Sequence, residues 1–436
     1  MRKRELFLLG AYGLFIFTPI LVGWIVINEP RSFWPELAGV LGMLAYALII
    51  SEFLTSGRNK RLSRTLGMDT SMRVHRLVGW VILIAAILHP FMYGSTPSDG
   101  PRPWDATLKE WVSPDFSGIA TGVLALVLLP ALVVMAVWRS ALDYRYEVWR
   151  GLHAVLAIVI VLLLLHHTIS AGRYGRLPEV TLVWYGLVFL AVGSIVYRWI
   201  WVPFAQSRKP WTIASVKPLS KGCWSLTLSP EGHSGLDYEA GQFAWIKLDT
   251  HPLTLHENPF SIASAPASGN DISFIIKELG DRTSTLAELQ IGARAYVDGA
   301  YGSLRVTNRR EPGIALIAGG VGIAPMMGIL RQLRETKDPR AVRILYGNRR
   351  ADQIHCRDEL DAESCVYVIS EPAEGWEGET GLIDAKLLER TFSQSEFDEW
   401  LFVVCGPNPM MDSVKTNLVS RGVSGRRILL ERFNYD

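Results

Sequence analysis

Residues 72–94 read MRVHRLVGWVILIAAILHPFMYG and residues 149–172 read WRGLHAVLAIVIVLLLLHHTISAG, two apolar runs that carry His75 and His89, and His153 with the doublet His166/His167. Fourteen residues separate His75 from His89, and fourteen separate His153 from His167. On a helix that spacing falls about 40° short of four turns, so both rings leave one face, roughly 21 Å apart along the axis. Imidazole is a common axial ligand of haem iron, and two helices with two such histidines each can hold two haems, one above the other. For any one histidine a hydrogen-bonded role inside a bundle competes with ligation. Five of the nine histidines in the chain lie in these two runs, four of them at matched spacing, and that favours ligation. The candidate ligands are His75, His89, His153 and one of His166 and His167. His167 keeps the face, whereas His166 lies about 140° away on an ideal helix and would need a π-bulge or a different tilt.

The average over 436 residues hides two unlike halves: a mean hydropathy of +0.20 combines a largely apolar first half with an ordinary polar remainder. Six stretches, roughly 6–28, 37–55, 74–95, 117–138, 151–172 and 179–203, are long and apolar enough to span a bilayer. A signal peptide is the alternative for the first. Its apolar run is too long for that and no small-residue cleavage site follows, so an anchored helix is expected.

Loop charge predicts the orientation. With the N-terminus cytoplasmic, the inner segments hold Arg2, Lys3, Arg4, Arg58, Lys60, Arg61, Arg64, Arg73, Arg139, Arg145 and Arg150, eleven cations against the five of the outer loops, Arg31, Arg102, Lys109, Arg173 and Arg176. His75 and His153 then lie at the inner level, His89 and His166/His167 at the outer. Trp34, Trp104, Trp111 and Trp138 stand where interfacial aromatics belong. These features predict a multi-pass protein of the cell (inner) membrane with both termini cytoplasmic and the lipid bilayer as a partner. A net charge of +2 argues against nucleic acid as a partner. The four cysteines, Cys223, Cys356, Cys365 and Cys405, show no iron–sulfur spacing and fit a reducing compartment.

A polar break at Ser207-Arg208-Lys209-Pro210 separates the halves. From Trp211 to about Val306 short alternating strands (WTIASVKPL, WSLTLSP, FAWIKL, ISFIIKEL, ARAYVDG) predict a small antiparallel β-barrel. From Ile314 the pattern changes to βα units, IALIAGGVGIAPMMGILRQL, VRILYGNR, VYVIS, LFVVCGPNPMMDSVKTNLVSRG and RILLERF, which predict an α/β doubly wound parallel sheet. The run Gly319-Gly320-Val321-Gly322-Ile323-Ala324-Pro325 joins a strand to a helix. Glycines allow a pyrophosphate to approach the backbone, and Pro325 suits the first helical turn. Cys405-Gly406-Pro407-Asn408-Pro409-Met410 follows another buried strand and is expected beside the glycine turn at the carboxyl edge of the sheet.

These residues resemble a known family. Asn258-Pro259-Phe260-Ser261, Gly241-Gln242-Phe243, Lys277-Glu278-Leu279-Gly280 with Thr283, and Gly299-Ala300-Tyr301-Gly302 are similar to the flavin-domain signatures of ferredoxin–NADP reductase relatives. The GGVGIAP and CGPNPM runs are similar to their nicotinamide-dinucleotide half. Joined to helices with paired histidines, the chain resembles the bacterial members of the ferric reductase and NADPH oxidase superfamily. The resemblance implies a multidomain chain: a six-helix transmembrane di-haem domain over 1–205, an FAD-binding β-barrel over 208–308 and an NAD(P)-binding domain over 311–436.

The resemblance also implies residue roles. Asn258, Pro259, Phe260 and Ser261 would hold the flavin, with Lys277, Gly280 and Thr283 at its pyrophosphate end. Gly319, Gly320, Gly322 and Pro325 would take the dinucleotide, and Cys405 and Gly406 would face the nicotinamide. Phe433 or Tyr435 would cover the flavin ring. Asn258 replaces the Arg or His that opens the family's flavin motif, which bears on FAD affinity, and Ala300 replaces a proline. Arg349 and Arg350 follow the second strand where a 2′-phosphate would lie, which leans to NADPH with NADH tolerated, although a solvated surface pair reads equally well. The expected activity is that of an NAD(P)H oxidase or ferric-chelate reductase, carrying electrons through FAD and two b-type haems to an extracytoplasmic acceptor, dioxygen or a ferric chelate. The alternative is an electron-transfer module that feeds a partner protein.

Overall fold

The computed structural model describes residues 3–27, 33–55, 59–94, 116–139, 141–142, 145–280 and 283–432. Of the residues named above, Arg2, Arg31, Arg58, Arg102, Lys109, Trp104, Trp111, Phe433 and Tyr435 lie outside these. The chain divides into two compact units, one of residues 1–59 and 72–201, the other of residues 60–71 and 202–436.

The first unit is helical: α1 (Lys3–Val26), α2 (Phe33–Thr55), then, beyond a short helix α3 (Lys60–Leu66) that belongs to the other unit, α4 (Met68–Gly94), α5 (Phe116–Val137), α6 (Tyr146–Ala171) and α7 (Pro178–Val196), which continues through a π-helical turn. Among the described residues, six helices are long and apolar enough to cross a membrane. Their outward surfaces are apolar too: Leu182 is 72% exposed and Phe189 76%. Such a surface suits hydrocarbon rather than water, and the chain is a multi-pass membrane protein. Inside the bundle, Tyr46 of α2 lies against Trp184 of α7 with ring centroids 4.6 Å apart and donates to the Val161 carbonyl of α6 at 3.1 Å. Three helices are thus tied at one buried point.

The second unit begins, after a short helix α8 (Val202–Ser207), with six strands: β1 (Trp211–Ser220), β2 (Cys223–Pro230), β3 (Phe243–Leu248), β4 (Asn258–Ser261), β5 (Ile272–Lys277) and β6 (Arg294–Tyr301). They pair antiparallel in the order β4-β3-β6-β1-β2-β5, and an Ile262–Phe274 bridge joins the two edges. The β1–β2 hairpin turns at Lys221-Gly222, where Gly222 takes a φ of +71° that a side chain would resist. β4 is an edge strand built from the Asn258–Ser261 motif, too short and Pro-interrupted to be read as a strand from sequence. Helix α3 packs on this barrel: Lys60 pairs with Asp298 at 3.2 Å, and Ser63 accepts the Gly302 amide at 2.9 Å.

The remainder is a parallel sheet of β7 (Gly313–Gly319), β8 (Ala341–Asn348), β9 (Cys365–Ile369), β10 (Glu379–Thr380), β11 (Leu401–Cys405) and β12 (Ile428–Leu430), in the order β10-β9-β8-β7-β11-β12. Helices α9 (Ile323–Glu335), α10 (Arg357–Leu360), α11 (Ala385–Thr391), α12 (Gln394–Glu399) and α13 (Asn408–Ser420) connect the strands. Every residue of β7 and β11 is buried, as expected of central strands covered on both faces. Strand order reverses between these two. Chain crossings at such a point leave a crevice at the carboxyl edge, the usual site for a dinucleotide.

Candidate functional site

In the helical unit the four histidines at matched spacing meet in two pairs. His75 of α4 faces His153 of α6, and His89 of α4 faces His167 of α6, each with ring centroids 6.3 Å apart. His166 turns aside, its Nδ1 3.1 Å from the Thr121 hydroxyl of α5. Three of the four paired rings have Nδ1 engaged behind them: His75 with Glu52 Oε2 at 2.5 Å, His89 with the Ala38 carbonyl at 2.6 Å and His167 with the Gly118 carbonyl at 2.8 Å. An acceptor at Nδ1 fixes that nitrogen as the N–H, which makes Nε2 the lone-pair atom of the ring.

This arrangement fits metal ligation. A metal bound by two opposed imidazole nitrogens at about 2 Å each would hold the ring centroids roughly 6 Å apart. The His89 and His167 rings are also given space by glycine: a Cβ on Gly42 would stand 2.7 Å from the His89 ring, and one on Gly122 2.4 Å from the His167 ring. A cavity lined by His89, His167, Gly42, Gly122, Arg173 and Tyr174 opens at this level. Arg176 is instead turned back onto the Ser170 carbonyl, with its Nε at 3.0 Å. Near the other pair, Trp149 lies 5.4 Å from the His153 ring, with the Arg139 guanidinium over the indole.

In the second unit a polar cavity is lined by Asn258, Phe260, His256, Thr283, Asp249 and Glu288. Two of the flavin-motif residues and Thr283 therefore share one wall system, while Ser261 is buried behind it in register with Phe243. Pro259 pairs with Trp245 on the same edge, and Lys277 stands exposed at the end of β5. Thr283 closes a turn, its hydroxyl accepting the Leu279 and Gly280 amides at 2.8 and 3.1 Å.

At the strand-order reversal the two turns touch. A Cβ on Gly322 would lie 2.2 Å from the Cys405 carbonyl, and one on Gly406 3.0 Å from the Gly319 nitrogen, so only glycines allow this approach. Gly320 has a φ of +53°, and Pro325 is buried in the first turn of α9. Burial, with Glu431 as a lesser contributor, pushes the Cys405 thiol up to about 12, so it stays neutral at physiological pH. Arg349 pairs with Glu371 at 2.7 Å and Arg350 with Asp352 at 3.2 Å, and both stay largely exposed at 71% and 54%. Exposed pairs of this kind are weak.

Two carboxylates escaped the sequence reading. Glu52 lies in the apolar run ALIISEFL of α2, and an ionisable residue inside such a run was itself the signal. Glu431 directly follows the short strand β12, and burial pushes its carboxyl up to about 8 against the pull of the Ser303 and Leu304 amides, with Asp69 adding to the rise.

Three family matches cover well over half of the chain: residues 41–164 match a ferric reductase like transmembrane component, 206–309 an FAD-binding domain and 316–416 an oxidoreductase NAD-binding domain. The reductase component of propane 2-monooxygenase from Mycolicibacterium goodii is 27% identical over 237 residues, 51% of this chain and 66% of that protein. The electron transfer component of anthranilate 1,2-dioxygenase from Acinetobacter baylyi is 29% identical over 208 residues, 45% of this chain and 59% of that one. NADH-cytochrome b5 reductase 1 from Eremothecium gossypii is 31% identical over 206 residues, 44% of this chain and 71% of that one. The chain thus spans 59–66% of the first two of these relatives. Among solved structures, the ferredoxin reductase of carbazole 1,9a-dioxygenase matches at 23% identity and a TM-score of 0.46, covering 52% of this chain and 69% of its own.

The Glu431 environment has a measurable consequence. A carboxyl whose folded pKa is raised contributes stability that is full below its ordinary value of 4.5 and is lost as pH rises through about 8. Heat stability of the purified chain, followed by tryptophan fluorescence, should fall from about pH 5 to about pH 9 by more than in Glu431→Gln, whose side chain stays neutral. An identical pH dependence in the two proteins would contradict this placement.

Proposed function

Because the chain belongs to the ferric reductase and NADPH oxidase superfamily, with a ferric-reductase-like transmembrane component joined to FAD- and NAD-binding domains, we propose that it moves electrons from NAD(P)H through FAD and two b-type haems to an acceptor across the membrane. The supporting observation is the pair of facing imidazoles at each of two levels, with the same 6.3 Å centroid separation. His75 and His153 would hold one haem, His89 and His167 the other. When bound, FAD takes the two electrons of a hydride and releases them singly to one-electron carriers such as haem.

The rest is the work of the chain's own residues. Asn258, Pro259, Phe260 and Ser261 bind the flavin, and the Lys277–Thr283 turn binds its pyrophosphate. Gly319, Gly320, Gly322 and Pro325 admit the dinucleotide to the sheet's carboxyl edge. Arg349 and Arg350 exchange their carboxylates for the 2′-phosphate of NADPH, while NADH binds without it. Cys405 and Gly406 orient the nicotinamide, the neutral thiol excluding water without adding charge, and Glu431 holds a proton beside them. Phe433 or Tyr435, outside the described residues, would cover the flavin as the family resemblance implies. The loop charges support the cell (inner) membrane, cytoplasmic termini and His89/His167 on the outer side.

Two acceptor classes each draw on an observation. Arg173, lining the cavity at the His89/His167 level, favours a small acceptor, since its cation would stabilise an anion such as superoxide formed by transfer at the haem edge. The relatives named as reductase or electron transfer components of oxygenases favour delivery to a partner protein.

Replacing His75 or His153 by alanine should remove one of two haems, and replacing His89 or His167 the other, as read by pyridine haemochrome content, whereas His166→Ala should keep both. Full haem content in His75→Ala or His89→Ala would overturn the ligand assignment. For the acceptor, the purified chain with FAD and NADPH in air should produce superoxide that falls several-fold in Arg173→Ala. Strong anaerobic ferric-chelate reduction with negligible superoxide would select ferric iron, and neither activity without an added protein would select the partner reading.

A further inference from the structure

The helical unit treats its two histidine pairs differently. Behind His89 and His167 stand the main-chain carbonyls of Ala38 and Gly118, which are neutral acceptors. Behind His75 stands the side chain of Glu52, a residue 8% exposed on α2, with Oε2 2.5 Å from His75 Nδ1. A carboxylate that accepts an imidazole N–H makes a charge-assisted hydrogen bond, stronger than one to a neutral carbonyl. Among the described residues, His153, opposite His75, has no hydrogen-bond partner at Nδ1. A carboxylate is costly within an apolar span, and one placed against a ligand ring calls for a functional reason.

Resting on the di-haem reading, we propose that Glu52 is a positioning residue that sets the His75/His153 haem to a lower reduction potential than the His89/His167 haem, so that electrons run from the first site to the second. Two effects act in the same direction. A carboxylate accepting the Nδ1–H makes the imidazole a stronger donor through Nε2 than a backbone carbonyl does, and donor strength and second-sphere hydrogen bonding are levers on haem potential. Its negative charge, held in a medium of low dielectric, also stabilises ferric iron, which carries one more positive charge than ferrous. The step balances as a single electron: ferrous iron at the His75/His153 site becomes ferric while ferric iron at the other site becomes ferrous, with no proton gained or lost. The direction this gives matches the order in which NAD(P)H electrons reach a far-side acceptor.

Glu52→Gln separates charge from orientation, because the amide oxygen can still accept the Nδ1–H and hold the ring. The haem-loaded full-length chain in detergent is titrated anaerobically, following the haem α-band, alongside Glu52→Gln, Glu52→Asp and the His167→Ala background that isolates the His75/His153 site. We expect two waves in the wild type, the lower surviving in His167→Ala. In Glu52→Gln the lower wave should rise by a tenfold change in the reduction equilibrium, ~59 mV for one electron, with haem content and the upper wave unchanged. Glu52→Asp, which keeps the carboxylate but lengthens the contact, should fall between. Two haems with both midpoints unmoved in Glu52→Gln, or movement of the upper wave alone, would overturn the role of Glu52 while leaving the di-haem reading intact. A wild-type chain that binds no haem would overturn both. If Glu52→Gln loses its haem, the Glu52→Asp titration decides: a raised lower wave supports the proposal and an unmoved one overturns it.

Discussion

The separation of two imidazole rings across the interface between α4 and α6 is the constraint on which the helical unit is built. Each pair must present opposed Nε2 atoms at one spacing, at two levels some four turns apart on the same two helices. That requires helices held in register along their whole length. Tyr46, Trp184 and the Val161 carbonyl tie α2, α6 and α7 at a buried point. Rings must also be locked about their own axes, and Glu52, Ala38 and Gly118 do this from behind. Where the rings need room, the neighbouring helices have given up side chains: Gly42 and Gly122 lie where any Cβ would strike His89 or His167. Sequence spacing, second-sphere hydrogen bonds and glycine placement all serve one geometry.

In the second unit the governing constraint is access to backbone. The crevice between β7 and β11 exists because strand order reverses there. Its floor is formed by Gly319, Gly322 and Gly406, with Gly322 packed against the Cys405 carbonyl at a distance no side chain would permit and Gly406 tight against Gly319. Two ionisable groups beside this floor are shifted toward their neutral forms. Cys405 keeps its proton because it is buried, and Glu431 shifts toward keeping its own for the same reason.

Much of this was legible in the sequence. The fourteen-residue histidine spacing carries its own geometry, and the change from alternating strands to βα units marks the two halves of the second unit. Glycine-rich and cysteine-proline turns announced their partnership because both follow buried strands. Other features were hidden for physical reasons. Strand β4 is four residues with a proline, stable only as an edge paired to β3. Helix α3 is seven residues of mostly polar side chains without an apolar stripe, and it is defined by tertiary contacts of Lys60 and Ser63 with the barrel. The loop reading of residues 56–73 accordingly missed both it and the early start of α4 at Met68. Glu52 was visible as a lone acid in an apolar run, yet its partner, twenty-three residues away on another helix, could come only from the packing.

The central claim is that both histidine pairs clamp iron on both sides. Low-temperature electron paramagnetic resonance of the oxidised, purified wild-type chain, combined with haem quantitation per chain, tests it most directly. The account predicts two haems of the b type per chain, both low-spin ferric with bis-imidazole signals and no significant high-spin component. A single haem, or a persistent high-spin signal from a site with one open axial position, would contradict it.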